Sequence, residues 1–192
     1  YDVGIKKGIA TVANHHISPG KKMWHWGIGD FGDMWCNNLT DKNGPYIELM
    51  TGVYTDNQPD FTWIAPYESR EFEQYWYPIR DIGEVKNASI DAAVNMEKRE
   101  DGLFFGFNVT GEFKNATVRV AAKDKILFTQ TCNMTPNVSY MKTIDIGDTD
   151  FNDITVSLIS AENKVLISYT PYVRGQKQPI EPRLPVKRPC EI

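Results

Sequence analysis

Residues 83–173 alternate apolar and polar positions with a period of two, which is the pattern of half-buried β-strands. β-Branched and aromatic side chains share one face in stretches such as LFFGFNVT and ITVSLIS. Turn signals such as EDG, AKDK and AENK separate these stretches. The pattern predicts strands over residues 88–97, 102–110, 115–123, 125–131, 138–145, 153–160 and 164–172.

The residues before 82 are also rich in β-strand patterns, but their strands lie among longer loops. The strongest strand predictions are KMWHWG, GPYIELMTGVY and SREFEQYWYPI. Between them lie GIGDFGDMWCNNLTDKNG and TDNQPDFTWIAPYE, whose Gly, Asp, Asn and Pro content predicts loops. No helix of ten or more residues is predicted anywhere. Because loops on a β scaffold often carry function, we expect the functional residues in this part of the chain.

Composition divides the chain into three parts. All five Trp and all three His precede residue 77, and the tail is rich in proline. We therefore predict an all-β chain with a β domain at 1–82, an immunoglobulin-like β-sandwich at 83–174 and a Pro-rich linker or strap at 175–192. A segment of about eighty residues is small for a core with so many Trp. We expect 1–82 to be the closing segment of a larger β domain, and the chain to be a piece of a longer protein.

Charge and cysteine usage narrow the expected partners. The 192 residues include 25 acidic and 21 basic side chains, for a net charge of −4. This balance argues against a nucleic-acid or anionic-membrane partner, and no apolar run approaches the ~18 residues that span a bilayer. Three widely spaced cysteines predict neither a disulfide framework nor a metal site. No metal or cofactor is expected, with Asp30, Asp33 and Asp41 interpreted as turn formers.

Glu48 is the strongest candidate for chemistry. In the predicted strand that contains IELM, it shares a face with Tyr46 and Met50, so it is a carboxylate among apolar neighbours. Half-burial of a carboxyl group suits it for general acid or base catalysis. The alternative is structural, with Glu48 pointing to solvent at a strand edge or paired with Lys22 or Arg70.

Tyrosines and carboxylates alternate in the next predicted strand, over residues 70–78. Tyr75 and Tyr77 share a face with Glu71 and Glu73. This combination suits a sugar, because a ring offers a flat platform to C–H groups while carboxylates accept hydrogen bonds from hydroxyl groups. The alternative is a half-exposed strand with ordinary cross-strand Tyr and Glu contacts.

The order of residues in this region resembles the closing motif of galactose mutarotase-like (aldose 1-epimerase) proteins. The resemblance implies that Glu48 is the general base that takes the proton from the anomeric hydroxyl. The family's Pro-Gly-Glu turn reads Pro66-Tyr67-Glu68 here, so its glycine is missing. The residues that match the motif are Ile47, Glu48, Asp56, Asn57, Pro59, Phe61, Pro66 and Glu68.

Mutarotases pair this Glu with a His that protonates the ring oxygen, and that His lies far upstream, at a position that would precede Tyr1. His25, between Trp24 and Trp26, is a weaker candidate for a catalytic role because it could face the same cleft as Glu48. The alternative is a partly buried His that is hydrogen-bonded to a backbone carbonyl.

A wider resemblance is to the DUF5107 family of bacterial proteins. The segments PGKKMWHWG, LTDKNGPYIELMTGVYTDNQPDFTW and FEQYWYPI carry it. The resemblance implies a mutarotase-like sugar-active β domain, then a β-sandwich, then helical tetratricopeptide repeats. An upstream β domain and downstream repeats are therefore expected partners within the parent chain. Family habit favours an extracytoplasmic bacterial protein, either periplasmic or at the cell surface.

Two functions follow as expectations. The first is a carbohydrate-binding or carbohydrate-active protein, with epimerase-, lyase- or hydrolase-like chemistry in the full-length protein and an inactive piece alone. The alternative is a non-catalytic β spacer that links an upstream domain to helical repeats, with the aromatic residues as core. In the first case the expected substrate contacts are Trp24, Trp26, Asp56, Asp60, Trp63, Tyr75 and Tyr77.

Overall fold

The computed structural model describes residues 1–52 and 63–172. In this part of the chain strands predominate, with one α-helix, α1 (Asp30–Leu39). The predicted all-β class is therefore confirmed. The strands form four sheets and are β1 (Lys7–Ala13), β2 (Gly20–His25), β3 (Ile47–Gly52), β4 (Gln74–Arg80), β5 (Asn87–Ala88), β6 (Ala92–Arg99), β7 (Gly102–Val109), β8 (Phe113–Ala122), β9 (Lys125–Met134), β10 (Tyr140–Ile144), β11 (Ile154–Ile159) and β12 (Val165–Tyr169).

Contacts divide the described residues into two compact units. The first contains Tyr1–Val12 and the described residues from Tyr75 onward, and the second contains the described residues of 13–74. The chain therefore begins in the first unit, leaves it for the second and returns at Tyr75. This return lies before the predicted domain boundary near residue 82, because β4 from Tyr75 onward belongs to the same compact unit as the later strands.

Two four-stranded antiparallel sheets make up most of the first unit. Their strand orders are β10-β7-β6-β5 and β12-β11-β8-β9. Alternate residues of β7, Leu103, Phe105 and Phe107, face the core, where they meet residues such as Val118 and Val156. All seven strands predicted after residue 83 are present, although the first is divided into β5 and β6. The period of two in the sequence matches the placement of successive residues on opposite faces of each strand.

The outer face of the β6–β7 pair is covered as well. Ile79 and Ile82, from β4 and the turn that follows it, form a second small core with Ala10 and Ala93. Ile82 is fully buried. It lies so close to Gly106 that a Cβ atom there would be 2.9 Å from the Ile82 Cγ2 atom. The glycine therefore allows the turn to approach the sheet.

Buried polar side chains bind the backbone between β4 and β5. The Asn95 Nδ2 atom donates to the Ile82 carbonyl at 2.7 Å, and the Asn108 Oδ1 atom accepts from the Arg80 N–H at 2.8 Å. The Ser139 hydroxyl donates to the Arg80 carbonyl at 3.1 Å. Both asparagines are buried. Because buried backbone groups need hydrogen-bond partners, these contacts fix the turn on the sheet.

The second unit contains a two-stranded ribbon and α1. Strands β2 and β3 are antiparallel, with a register from Gly20 opposite Gly52 to His25 opposite Ile47. Both strands were predicted, although the structure gives them slightly different bounds. A two-stranded ribbon has only marginal stability by itself, so its side-chain contacts matter for the site.

The prediction of a loop at GIGDFGDMWCNNL is wrong, because residues 30–39 form α1. Phe31, Met34 and Trp35 recur at helical spacing. Asp30 and Asp33 lie in the first turn, where negative charge favours the helix dipole. Among the described residues, no helix has the length and apolar character needed to cross a membrane.

The close packing of the turn on the sheet gives a stability prediction. We expect Gly106→Ala to lower the free energy of unfolding by about 1–3 kcal/mol, because the new methyl group overlaps Ile82. Urea unfolding followed by circular dichroism measures the change. Gly111→Ala is the matched control, since its Cβ atom would meet only the Phe113 ring, at 3.8 Å. Equal effects of the two substitutions would contradict the described packing.

Candidate functional site

Strands β2 and β3 place Glu48 directly opposite Trp24. The register also pairs Lys22 with Met50, so these four side chains share one face of the ribbon. Glu48 is half-buried, whereas 48% of Trp24 is exposed. Directly opposed residues have Cβ atoms about 5 Å apart. A carboxylate and an open indole ring therefore lie next to each other.

Tyr46 immediately precedes β3 and its side chain is hydrogen-bonded to Glu48. Burial, followed by the hydrogen bond to Glu48 and the negative charge of that carboxylate, raises the pKa of the Tyr46 hydroxyl. The backbone N–H of Tyr46 donates to the Cys36 Sγ atom at 3.3 Å. This bond connects the start of β3 to α1. The carboxylate therefore interacts with a phenol whose own backbone is anchored to the helix.

Four aromatic rings form one cluster that includes the Trp24 side chain. Trp26 stacks on Trp35 of α1, with 4.6 Å between ring centroids and an interplanar angle of 15°. Trp24 contacts the edge of Trp26 at 6.0 Å, and Phe31 lies 6.4 Å from both Trp26 and Trp35. Edge-to-face and offset-stacked contacts of this kind are favourable. They restrict the orientation of the exposed Trp24 ring.

His25 does not share the face of Glu48. The register pairs His25 with Ile47, and neighbouring residues of a strand point to opposite faces. The His25 Nδ1 atom accepts a hydrogen bond from the Gly27 N–H at 2.9 Å, and the side chain is exposed. The expectation that His25 faces the same cleft as Glu48 is therefore wrong.

Tyr67, which stands where the mutarotase-like motif has glycine, adopts a backbone conformation that favours glycine. Tyr67 has a φ of 67° and is fully exposed. The Glu68 carboxylate accepts from the Ala65 N–H at 2.8 Å and forms an ion pair with Arg70 at 3.1 Å. The bond from Ala65 and then that from Arg70 lower the pKa of Glu68. The turn is thus stabilised by its own glutamate.

Of the three remaining predicted substrate contacts, the structure describes one, Trp63. Trp63 is 37% exposed. Asp56 and Asp60 lie outside the described residues, as do Asn57, Pro59 and Phe61 of the mutarotase-like motif.

The two tyrosines of β4 belong to the first unit. The strand begins at Gln74, so the predicted strand start at residue 70 is wrong. The Tyr77 hydroxyl donates to the carbonyls of Ser89 and Ala92, at 2.8 and 3.0 Å. Burial, followed by the charge of Asp91, raises the pKa of Tyr77 to about 12. These contacts occupy Tyr77 and correct the expectation of an open sugar platform, whereas 40% of Tyr75 is exposed.

Sequence reasoning missed the contribution of α1 to the aromatic cluster. The Gly, Asp and Asn content of the segment that contains Phe31 and Trp35 predicted a loop there. The i, i+4 spacing of Phe31 and Trp35 was the available signal. Gly32 is required by packing instead, because a Cβ atom there would overlap the Gly27 carbonyl oxygen.

A polar cavity of about 390 Å³ lies along α1 and the segment that follows it. Asp33, Asn37, Thr40 and Asp41 contribute to its walls. The Thr40 hydroxyl donates to the carbonyls of Cys36 and Gly44, which closes the end of the helix. Among the described residues, no group of three or more His, Cys, Asp or Glu side chains is arranged to hold a metal ion.

Two family models match two different parts of the chain. Residues 1–79 match the family model for DUF5107, a domain of unknown function. Residues 87–169 match the family model for the second domain of YphG-like proteins. No solved structure matches the chain significantly. The resemblance of the first part to DUF5107 is confirmed.

The coupling between Tyr46 and Glu48 can be tested by titration. We expect Glu48→Gln to lower the pKa of the Tyr46 hydroxyl, because it removes the negative charge that opposes formation of the phenolate. The pKa of Tyr46 should still lie above its ordinary value, since burial is the largest cause of the increase. NMR of tyrosines labelled with ¹³C at Cζ measures the titration. Glu71→Gln, an equal change of charge at an exposed residue, is the control, and an unmoved Tyr46 curve in Glu48→Gln would refute the coupling.

Proposed function

We propose that this chain, which joins a DUF5107 segment to a YphG-like second domain, binds carbohydrate on the face of the β2–β3 ribbon that carries Trp24 and Glu48. The observation that carries the proposal is their direct cross-strand pairing, with a half-buried carboxylate beside a half-exposed indole ring. Both residues were predicted from the sequence, Glu48 as the general base and Trp24 as a substrate contact.

The chemistry of the pair suits a sugar. The indole face packs against C–H groups, and the carboxylate accepts hydrogen bonds from hydroxyl groups. Hydrogen bonds to a charged group contribute about 1.5–3 kcal/mol, more than those between neutral groups. The contact between Trp24 and Trp26 holds the ring in place before a ligand arrives, which lowers the entropy cost of binding.

The finer assignment of the first part, to the closing segment of a galactose mutarotase-like β domain, belongs to the same proposal. Two observations support it. Glu48 lies on a strand and is half-buried, and Tyr67 adopts a positive φ at the turn position where the motif has glycine. In the full-length protein Glu48 would then act as the general base toward an anomeric hydroxyl, in an epimerase-, lyase- or hydrolase-like reaction.

A structural role is the second candidate, and the sandwich favours it. Its first, second and fifth long strands, β6, β7 and β10, share one sheet, while β8, β9, β11 and β12 form the other. This distribution supports the immunoglobulin-like assignment. Its buried asparagines bind the backbone of the β4–β5 turn. Residues 87–169 would then serve as a rigid spacer beside the sugar-binding part.

Titration with monosaccharides tests the carbohydrate proposal. We expect saturable shifts in the ¹H–¹⁵N spectrum, including the indole N–H of Trp24, with at least one sugar from a panel of neutral hexoses and uronates. Glu48→Gln and Trp24→Ala should each weaken binding about tenfold, since either substitution removes one contact worth about 1.4 kcal/mol or more.

Met23→Ala is the matched control for this titration. Met23 lies on β2 next to Trp24, is 63% exposed and points to the opposite face of the ribbon. Its substitution should leave sugar affinity unchanged. Absence of binding to every sugar, or an equal loss in the Met23 variant, would reject the site and leave the spacer function as the better account.

A further inference from the structure

A second cavity of about 390 Å³ lies within the first unit. β1 contributes Lys7 and Gly8 to its walls, β4 contributes Pro78–Arg80, and the sandwich contributes Asn108 and Pro136. Its size is within the range of small-molecule sites in proteins. The carbohydrate proposal does not use any of these residues.

Two cationic side chains line this cavity. Within residues 1–52 and 63–172, neither Lys7 nor Arg80 forms an ion pair with a carboxylate. The Arg80 Nη2 atom donates to the Pro136 carbonyl at 3.2 Å, which holds the guanidinium group at the cavity wall. The neighbouring Asp81 carboxylate instead accepts from the Ser139 hydroxyl at 3.1 Å. The cavity therefore has positive charge that its own walls do not neutralise.

The side chains of the other wall residues are either apolar or already hydrogen-bonded within the protein. Asn108 is 4% exposed, and both ends of its amide are bonded, to the Arg80 N–H at 2.8 Å and to the Ser139 hydroxyl at 2.9 Å. Asn108 is thus a positioning residue that fixes the backbone of Arg80. Pro78, Ile79 and Pro136 supply apolar surface.

We propose that this cavity binds a small organic anion, with its carboxylate or phosphate group on Arg80 and Lys7 and its apolar body against the two prolines. A guanidinium group presents several N–H donors in one plane and can bind two oxygens of such a group at once, while an ammonium group adds a point charge. The protein carries a net charge of −4, so general attraction would not bring anions here. Local unpaired cations are what the ligand would recognise.

Calorimetry and thermal unfolding of the whole chain at physiological salt test the proposal. The probes are benzoate, its neutral isostere benzamide, and inorganic phosphate. We expect saturable binding of benzoate or phosphate and an increase in melting temperature, since the ligand would contact β1, β4 and the sandwich together. Inorganic phosphate has no apolar body, so binding of phosphate tighter than that of benzoate would overturn the proposed contact with the two prolines. Binding of benzamide as tight as that of benzoate, or no binding of either anion, would overturn the proposal.

Lys7→Gln is the decisive variant, and we expect it to weaken anion binding about tenfold, as loss of one charge-assisted hydrogen bond does. Lys6→Gln is the matched control, because it makes the same change of charge one residue earlier, at a side chain that does not line the cavity. Equal losses in the two variants would show non-specific attraction and reject the site. Arg80→Gln should abolish binding, and Lys7→Gln keeps the test valid if loss of the Pro136 contact prevents folding.

Discussion

The first unit depends on two buried asparagine side chains that bind the backbone between β4 and β5. Asn95 donates to the Ile82 carbonyl, and Asn108 accepts from the Arg80 N–H. Burial of an amide group is unfavourable unless it is hydrogen-bonded, and the Asn95 Nδ2 and Asn108 Oδ1 atoms each find a partner on a segment outside the sandwich sheets. The outer face of the β6–β7 pair is therefore complete only when this turn is in place, with Ile82 seated on Gly106.

This dependence explains why sequence families and packing divide the chain differently. The DUF5107 match covers residues 1–79, yet the two ends of that stretch, 1–12 and 75–79, belong to the compact unit that contains the YphG-like match. Ala10 and Ile79 pack into the same small core as Ala93 of β6. The junction of the two matches is thus a packed part of the protein, and the cavity of Lys7 and Arg80 lies in it.

The sequence predicted most of the sandwich because alternation of β-branched and aromatic residues records directly which face is buried. It failed for α1, where Gly32 was interpreted as a loop residue although it serves close packing against Gly27. It also missed β1, because a strand whose buried residue is as small as Ala10 gives a weak pattern. Glu48 and Tyr46 were placed on one face, but the pairing with Trp24 depends on register, which one strand does not encode. The burial of the Tyr77 hydroxyl could not be predicted either, because its hydrogen-bond partners, the carbonyls of Ser89 and Ala92, lie on a later part of the chain.

The path of the chain also has a consequence during synthesis. β1 ends at Ala13, and β4, its partner in a two-stranded sheet, begins at Gln74. At about 5–20 residues per second, β1 is synthesised roughly 3–12 s before β4, and the sandwich follows later still. The nascent β1 therefore lacks its β4 partner while residues 14–73 are being translated, so this two-stranded sheet can form only after that segment has been made.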